Sequence, residues 1–242
     1  MSGADINTNE LDSTRQPAGK GRVRVKVCGM TNADQVRQLD DMGVEFAGFI
    51  FYPRSPRFVY SHMPAAEIKK IKGRINKVGV FVNPTLDEVV NTVDNCGLYL
   101  AQLHGDESPK LCEKIADYIT VVKAFRLSED DNVLWKIKDY QDVVDMFLFD
   151  TEGAGYGGTG KKFNWQLLKG LNIRKPFFLS GGIMPTDVEG LKAFQQESVA
   201  KDLFAIDINS KFEVAPGVKD MERVRKFNHD LGGLSEPRFG WI

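Results

Sequence analysis

From Arg22 to Asp230 short apolar or alternating runs take turns with amphipathic segments, with no long structureless gap between them. The runs are Val23 to Cys28, Glu45 to Phe51, Ile75 to Val82, Leu98 to His104, Ile119 to Phe125, Val143 to Asp150, Pro176 to Ser180 and Leu203 to Ile208. Short apolar runs that stop at turn residues read as buried strands. Helical spacing of apolar positions follows each of them, starting near Asn32, Pro64, Pro84, Ser108, Glu129, Asn164, Pro185 and Lys219. Asn83 before Pro84, with Asp87 and Glu88 in the first turn, and Ser108 before Pro109 carry helix-start signals. Such alternation predicts parallel strands joined by crossover helices. Eight units fit an α/β fold of the closed (β/α)8 kind, a single-domain TIM barrel over residues 22–230. An open doubly wound sheet is the alternative, but no Gly-x-Gly-x-x-Gly follows the first strand.

Both ends read as additions to this barrel. Residues 1–21 mix Ser, Asn, Thr, Asp, Gly and Pro without periodicity, the pattern of a disordered polar arm. The tail, 231–242, closes with Pro237, Arg238, Phe239, Gly240, Trp241 and Ile242, apolar enough to gain by covering barrel surface.

Composition narrows the classes of function. A net charge of −1, with Lys and Arg scattered among Asp and Glu, gives no footprint for nucleic acid or an anionic membrane. Three cysteines are no disulfide framework, and none of Cys28, Cys96 and Cys112 has a Cys or His at metal-ligand spacing, so no metal site is expected. The N-terminal residues lack the apolar core of a signal peptide, and no run approaches the roughly 18 apolar residues of a membrane span. A cytoplasmic protein is the expectation. Barrel exteriors serve monomers and homodimers alike, so both stay open.

Four of the strand-like runs end on chemically capable side chains: Cys28, His104, Asp150 and Asp207. In an alternating strand-helix chain the carboxyl ends of the strands are where active sites lie. Cys28 is followed by Gly29 and a helix start, which would lower a thiol pKa; most free cysteines are instead small buried hydrophobes. Asp150 closes the apolar stretch Met146 to Phe149, where partial burial favours a general acid, although a turn-forming Asp fits equally well. His104 and Asp207 would orient a substrate or simply be hydrogen-bonded at a strand end. Gly157 to Lys161, Ser180-Gly181-Gly182 and Asn209-Ser210 follow the last three strands, where barrels often bind phosphate through glycine-rich turns. Arg57, in the stretch Pro53 to Arg57, has a guanidinium that could grip a carboxylate with paired hydrogen bonds, though most loop arginines are merely solvated.

These residues, in this order, resemble the phosphoribosylanthranilate isomerase family of tryptophan biosynthesis. The resemblance runs through Val25 to Thr31, Gly48 to Pro53 with Ser55 to Arg57, and Val78 to Asn83. It continues through Gln102 to Gly105, Gly157 to Lys161 with Phe163 and Trp165, Leu179 to Gly182, and Pro216 to Asp220. It implies an Amadori rearrangement of a small phosphoribosyl substrate without a cofactor, because the imine formed on ring opening is its own electron sink. By the match Asp150 would be the general acid and Cys28 the general base. Arg57 would hold the anthranilate carboxylate. Gly158, Gly160, Ser180, Gly181, Gly182, Asn209 and Ser210 would surround the phosphate, and the loop Gly153 to Lys162 could close over the substrate. Lys211 stands where many members look to have glycine; at positive φ it would cost about 1 kcal/mol, whereas its ammonium could instead help bind phosphate. The histidine-pathway isomerase, with two aspartates, and an idle phosphometabolite-binding barrel are the rivals. Cys28 speaks against the first, and the presence of both an acid and a base against the second.

Overall fold

The computed structural model describes residues 23–151 and 164–232. The polar arm, the turn containing Gly158 and Gly160, the Gly153 to Lys162 loop and the tail beyond Gly232 lie outside the described residues. Eight strands, β1 (Arg24–Val27), β2 (Phe46–Ile50), β3 (Asn76–Phe81), β4 (Leu100–Leu103), β5 (Thr120–Leu127), β6 (Met146–Thr151), β7 (Phe177–Leu179) and β8 (Leu203–Ile208), form a closed barrel. Every neighbouring pair is parallel, and β1 pairs with both β2 and β8.

Outside the strands lie α1 (Ala33–Asp41), α2 (Ala65–Lys70), α3 (Leu86–Cys96), α4 (Pro109–Ala116), α5 (Val133–Ile137), α6 (Val188–Phe194) and α7 (Met221–Asp230). Asn32 and Ser108 cap α1 and α4 as their sequence signals predict. Four expected starts move, the one near Glu129 to an Asn132 cap on α5. The cap of α3 is Thr85 rather than Asn83: Thr85 and Glu88 exchange hydrogen bonds in a capping box, while Asn83 takes a left-handed φ of 49° and its N–H donates to Glu107. Near Asn164 the described residues form only a 3-10 turn, Trp165–Leu168. Lys219 belongs to a short antiparallel hairpin, β9 (Glu213–Ala215) with β10 (Val218–Lys219), and α7 begins two residues later under an Asp220 cap.

The interior follows from the two-residue alternation of strands. Phe46, Val78, Leu100, Val122, Ala124, Leu148, Phe178 and Ala205 pack inside the barrel as one buried cluster. Val25, Val27, Ala101, Leu103, Phe147, Phe149, Ile206 and Ile208 point outward, into a second core shared with the helices. Two residues further along the same inward faces the chemistry changes. Leu100 gives way to Gln102 and His104, Leu148 to Asp150, Phe178 to Ser180, and Ala205 to Asp207. The barrel therefore has an apolar floor and a polar mouth, with the step between them about 6.6 Å along each strand.

Candidate active site

The mouth encloses a cavity of about 300 Å³, within the size range of small-molecule sites. Cys28, Arg57, His104, Asp150, Ser180, Gly181, Gly182, Asp207, Asn209 and Ser210 all line it, so the described residues expected at the site converge on one space. Gly158 and Gly160 fall outside the described residues.

β1 delivers Cys28 one residue past its end, where the backbone N–H still donates to Ile208 O of β8 at 2.9 Å. Period two puts Lys26 on the same inward face. Lys26 is fully buried and its Nζ donates to Asp207 Oδ2 at 2.8 Å. Gly48 of β2 makes room for both: a Cβ there would stand 2.9 Å from Cys28 Sγ and 3.3 Å from Lys26 Cε. The helix start expected near Cys28 lies five residues on, at Ala33, where Asn32 accepts the N–H groups of Asp34 and Gln35. Burial pushes the thiol above its usual pKa, with Lys26 the strongest opposing influence. Burial also pulls the Lys26 ammonium down, yet Asp207 and Cys28 outweigh it and hold the group above the ordinary lysine value. Asp207 Oδ1, by contrast, is buried without a hydrogen-bond partner.

Across the mouth, Asp150, the penultimate residue of β6, is half-buried and accepts the Thr151 N–H at 2.7 Å. His104 Nε2 lies 3.3 Å from Asp150 Oδ2. Gln102 Nε2 stands 2.7 Å from His104 Nδ1, so an amide N–H donated there leaves the ring proton on Nε2, facing the carboxylate. Gln102, which was not among the expected site residues, is thus the side-chain partner of His104 on the cavity wall. Its position two residues before a strand-end histidine was the available signal.

At β7 the chain turns through Gly181 (φ 93°) and Gly182 (φ 65°). Two consecutive left-handed residues suit glycine and let the backbone come close to an anion. The Ser210–Phe212 3-10 turn stands beside it, with Ser210 and Lys211 on the cavity wall. Among the described residues the non-glycine positive φ values belong to Asn83 and Arg174, so the strain anticipated at Lys211 is absent.

Arg57 reaches the cavity from the loop after β2, but not as a free fork. Its Nε and Nη2 donate to both carboxylate oxygens of Glu213, at 2.6–3.0 Å. Lys219 Nζ donates to the same carboxylate at 2.7 Å and to Asn209 Oδ1 at 2.8 Å. Burial pushes Glu213 upward, but Arg57 and Lys219 more than offset it and hold its pKa below the usual range. The β9–β10 hairpin therefore fixes one edge of Arg57 and the carbonyl face of Asn209 together. Pro216-Gly217, between Val214 and Val218, is the turn signal by which that hairpin could have been found.

A closed parallel barrel whose mouth brings a thiol, a carboxyl and a glycine turn onto one cavity defines a (β/α)8 barrel with a candidate active site. Its sequence profile matches that of "N-(5'phosphoribosyl)anthranilate (PRA) isomerase" over residues 25–230, and the chain belongs to this family. An N-(5'-phosphoribosyl)anthranilate isomerase of Parabacteroides distasonis is 38% identical over 207 residues, 84% of this chain and 90% of that protein. The crystal structure of the isomerase from Thermotoga maritima superimposes with a TM-score of 0.75 at 32% identity, covering 88% of this chain and all of that one. A phosphoribosylanthranilate isomerase solved in complex with reduced 1-(o-carboxyphenylamino)-1-deoxyribulose 5-phosphate gives a TM-score of 0.71 at 30% identity, with the same coverage. Among the described residues no helix is long and apolar enough to cross a membrane, and no group of three or more His, Cys, Asp or Glu could hold a metal ion.

Proposed function

We propose that Asp150 and Cys28 divide the acid–base work of an Amadori rearrangement. As a member of its family the chain is an isomerase of tryptophan biosynthesis, converting N-(5'-phosphoribosyl)anthranilate to 1-(o-carboxyphenylamino)-1-deoxyribulose 5-phosphate. The observation that carries the assignment is the placing of Cys28 and Asp150 on one cavity that also has a glycine turn and an arginine on its wall.

In this reading the phosphate lies against Ser180, Gly181, Gly182, Asn209 and Ser210, with Lys211 at its edge. The anthranilate carboxylate lies against the edge of Arg57 that Glu213 leaves open. The sugar then spans the mouth. Asp150 gives its proton to the ring oxygen, the C1′–O bond breaks, and the nitrogen lone pair closes the imine. The Cys28 thiolate removes the C2′ proton, and those electrons move into the imine to give an enolamine. Protonation at C1′ and loss of the C2′ hydroxyl proton leave the ketone. His104 holds Asp150 in place through its Nε2 proton.

The test is turnover of phosphoribosylanthranilate generated in place, followed by loss of anthranilate-type fluorescence. The wild-type chain should turn over, and Cys28→Ala and Asp150→Asn should each fall by roughly 10²–10⁴-fold. Wild-type turnover that survives both substitutions would remove the assignment of acid and base.

A further inference from the structure

Lys26 is a fully buried cation beside the proposed base, and the steps above give it no task. Resting on the reading of Cys28 as base, we infer that Lys26 is a positioning residue, its ammonium anchored on Asp207 so as to serve as counter-ion to the Cys28 thiolate. Three observations carry this. Cys28 and Lys26 occupy consecutive inward positions of β1 and crowd the same bare stretch of backbone at Gly48, where a single Cβ would touch Sγ and the lysine stem. The Lys26–Asp207 bridge is not a closed structural unit, since only Oδ2 is engaged and Oδ1 has no partner. The other cations that act on Cys28, Lys219 and Arg57, are both bonded to Glu213, which leaves Lys26 to face the sulfur. Asp150 and His104 line the same cavity and act on Asp207. Burial of a thiolate with no counter-ion is strongly disfavoured, and an adjacent ammonium is what permits it. The influences on Lys26, with Asp207 and Cys28 outweighing burial, agree with a charge retained at neutral pH.

The experiment measures alkylation of Cys28 by iodoacetamide across about pH 6 to 10, read on the Cys28 peptide by mass spectrometry. It needs no substrate, so it fails or succeeds independently of the isomerase assay. The Cys28→Ala protein identifies the signal, and thermal melting confirms that each variant is folded. Lys26→Met should move the midpoint upward by about one unit or more, slowing alkylation near neutrality roughly tenfold. Lys26→Gln, which keeps a donor toward Asp207 but removes the charge, should move the midpoint upward as well. A folded Lys26→Met protein with the wild-type midpoint overturns the inference. If Lys26→Met does not fold, Lys26→Gln decides alone, and a wild-type midpoint in that variant overturns it.

Discussion

Among the described residues three lysines are buried against carboxylates, and two of them, Lys123 and Lys26, have surroundings that could hardly differ more. Lys123, on the outer side of β5, donates to Glu107 Oε2 at 3.0 Å and to the carbonyls of Gly105 and Ala124 at 2.8 and 3.0 Å. Glu107 in turn accepts the Asn83 and Gly105 amides, and Tyr140 closes over its carbonyl. Lys26, on the inner face of β1, holds one oxygen of Asp207 and leaves the other without a partner. A buried ionic network stabilises a fold only when its members are satisfied; one left incomplete is a cost that architecture alone would not retain. The first pair ties the loops after β3 and β4 together, and the second stands open toward the cavity.

Breaking the satisfied pair should produce the largest loss of stability. Lys123→Met leaves the buried Glu107 carboxylate without its cation and should cost about 3–5 kcal/mol in denaturant unfolding. Turnover per folded molecule should hold. Equal loss of turnover in Lys123→Met and Lys26→Met would erase the distinction between the two pairs. Leu148→Ala, in the apolar floor directly below Asp150, should cost about 2–5 kcal/mol, and unfolding curves will show whether the floor is packed as tightly as its burial implies. The Arg57–Glu213–Lys219 cluster gives a pH signature. Glu213 has a depressed folded pKa, so its contribution is present above the unfolded glutamate value of about 4.3 and is lost as pH falls through the folded value. Glu213→Gln should therefore flatten the acid limb of the stability profile, measured by denaturation between about pH 3 and 6. The smallest effect belongs to Thr85→Ala, which removes the α3 capping box for about 1 kcal/mol and should leave turnover alone.

The eight strands were legible because strands buried on both faces write themselves as apolar runs, and the site residues because each such run stops where the polar mouth begins. Helices were harder to place. Asn83 before Pro84 looked like a cap, but an amide claimed by Glu107, a partner 24 residues away, decided its conformation. Lys26 and Gln102 escaped because each sits inside a strand run, where attention falls on the last residue; period two already put them on the inward face with Cys28 and His104. Glu213 and Lys219 were hidden in the stretch after β8, read as helix start rather than as a hairpin. The helix start expected near Cys28 lies five residues on, whereas the charge beside the thiol comes from its own strand.

The most direct test of the proposed acid–base pair separates binding from chemistry. Affinity for reduced 1-(o-carboxyphenylamino)-1-deoxyribulose 5-phosphate, measured by calorimetry, is compared with single-turnover rates for wild type, Cys28→Ala and Asp150→Asn. Affinities within a few-fold of wild type, with rates lowered about 100-fold or more, are expected if the two side chains act on protons rather than hold the ligand. Loss of affinity that accounts for the whole loss of rate would contradict that division and make both residues ligand contacts.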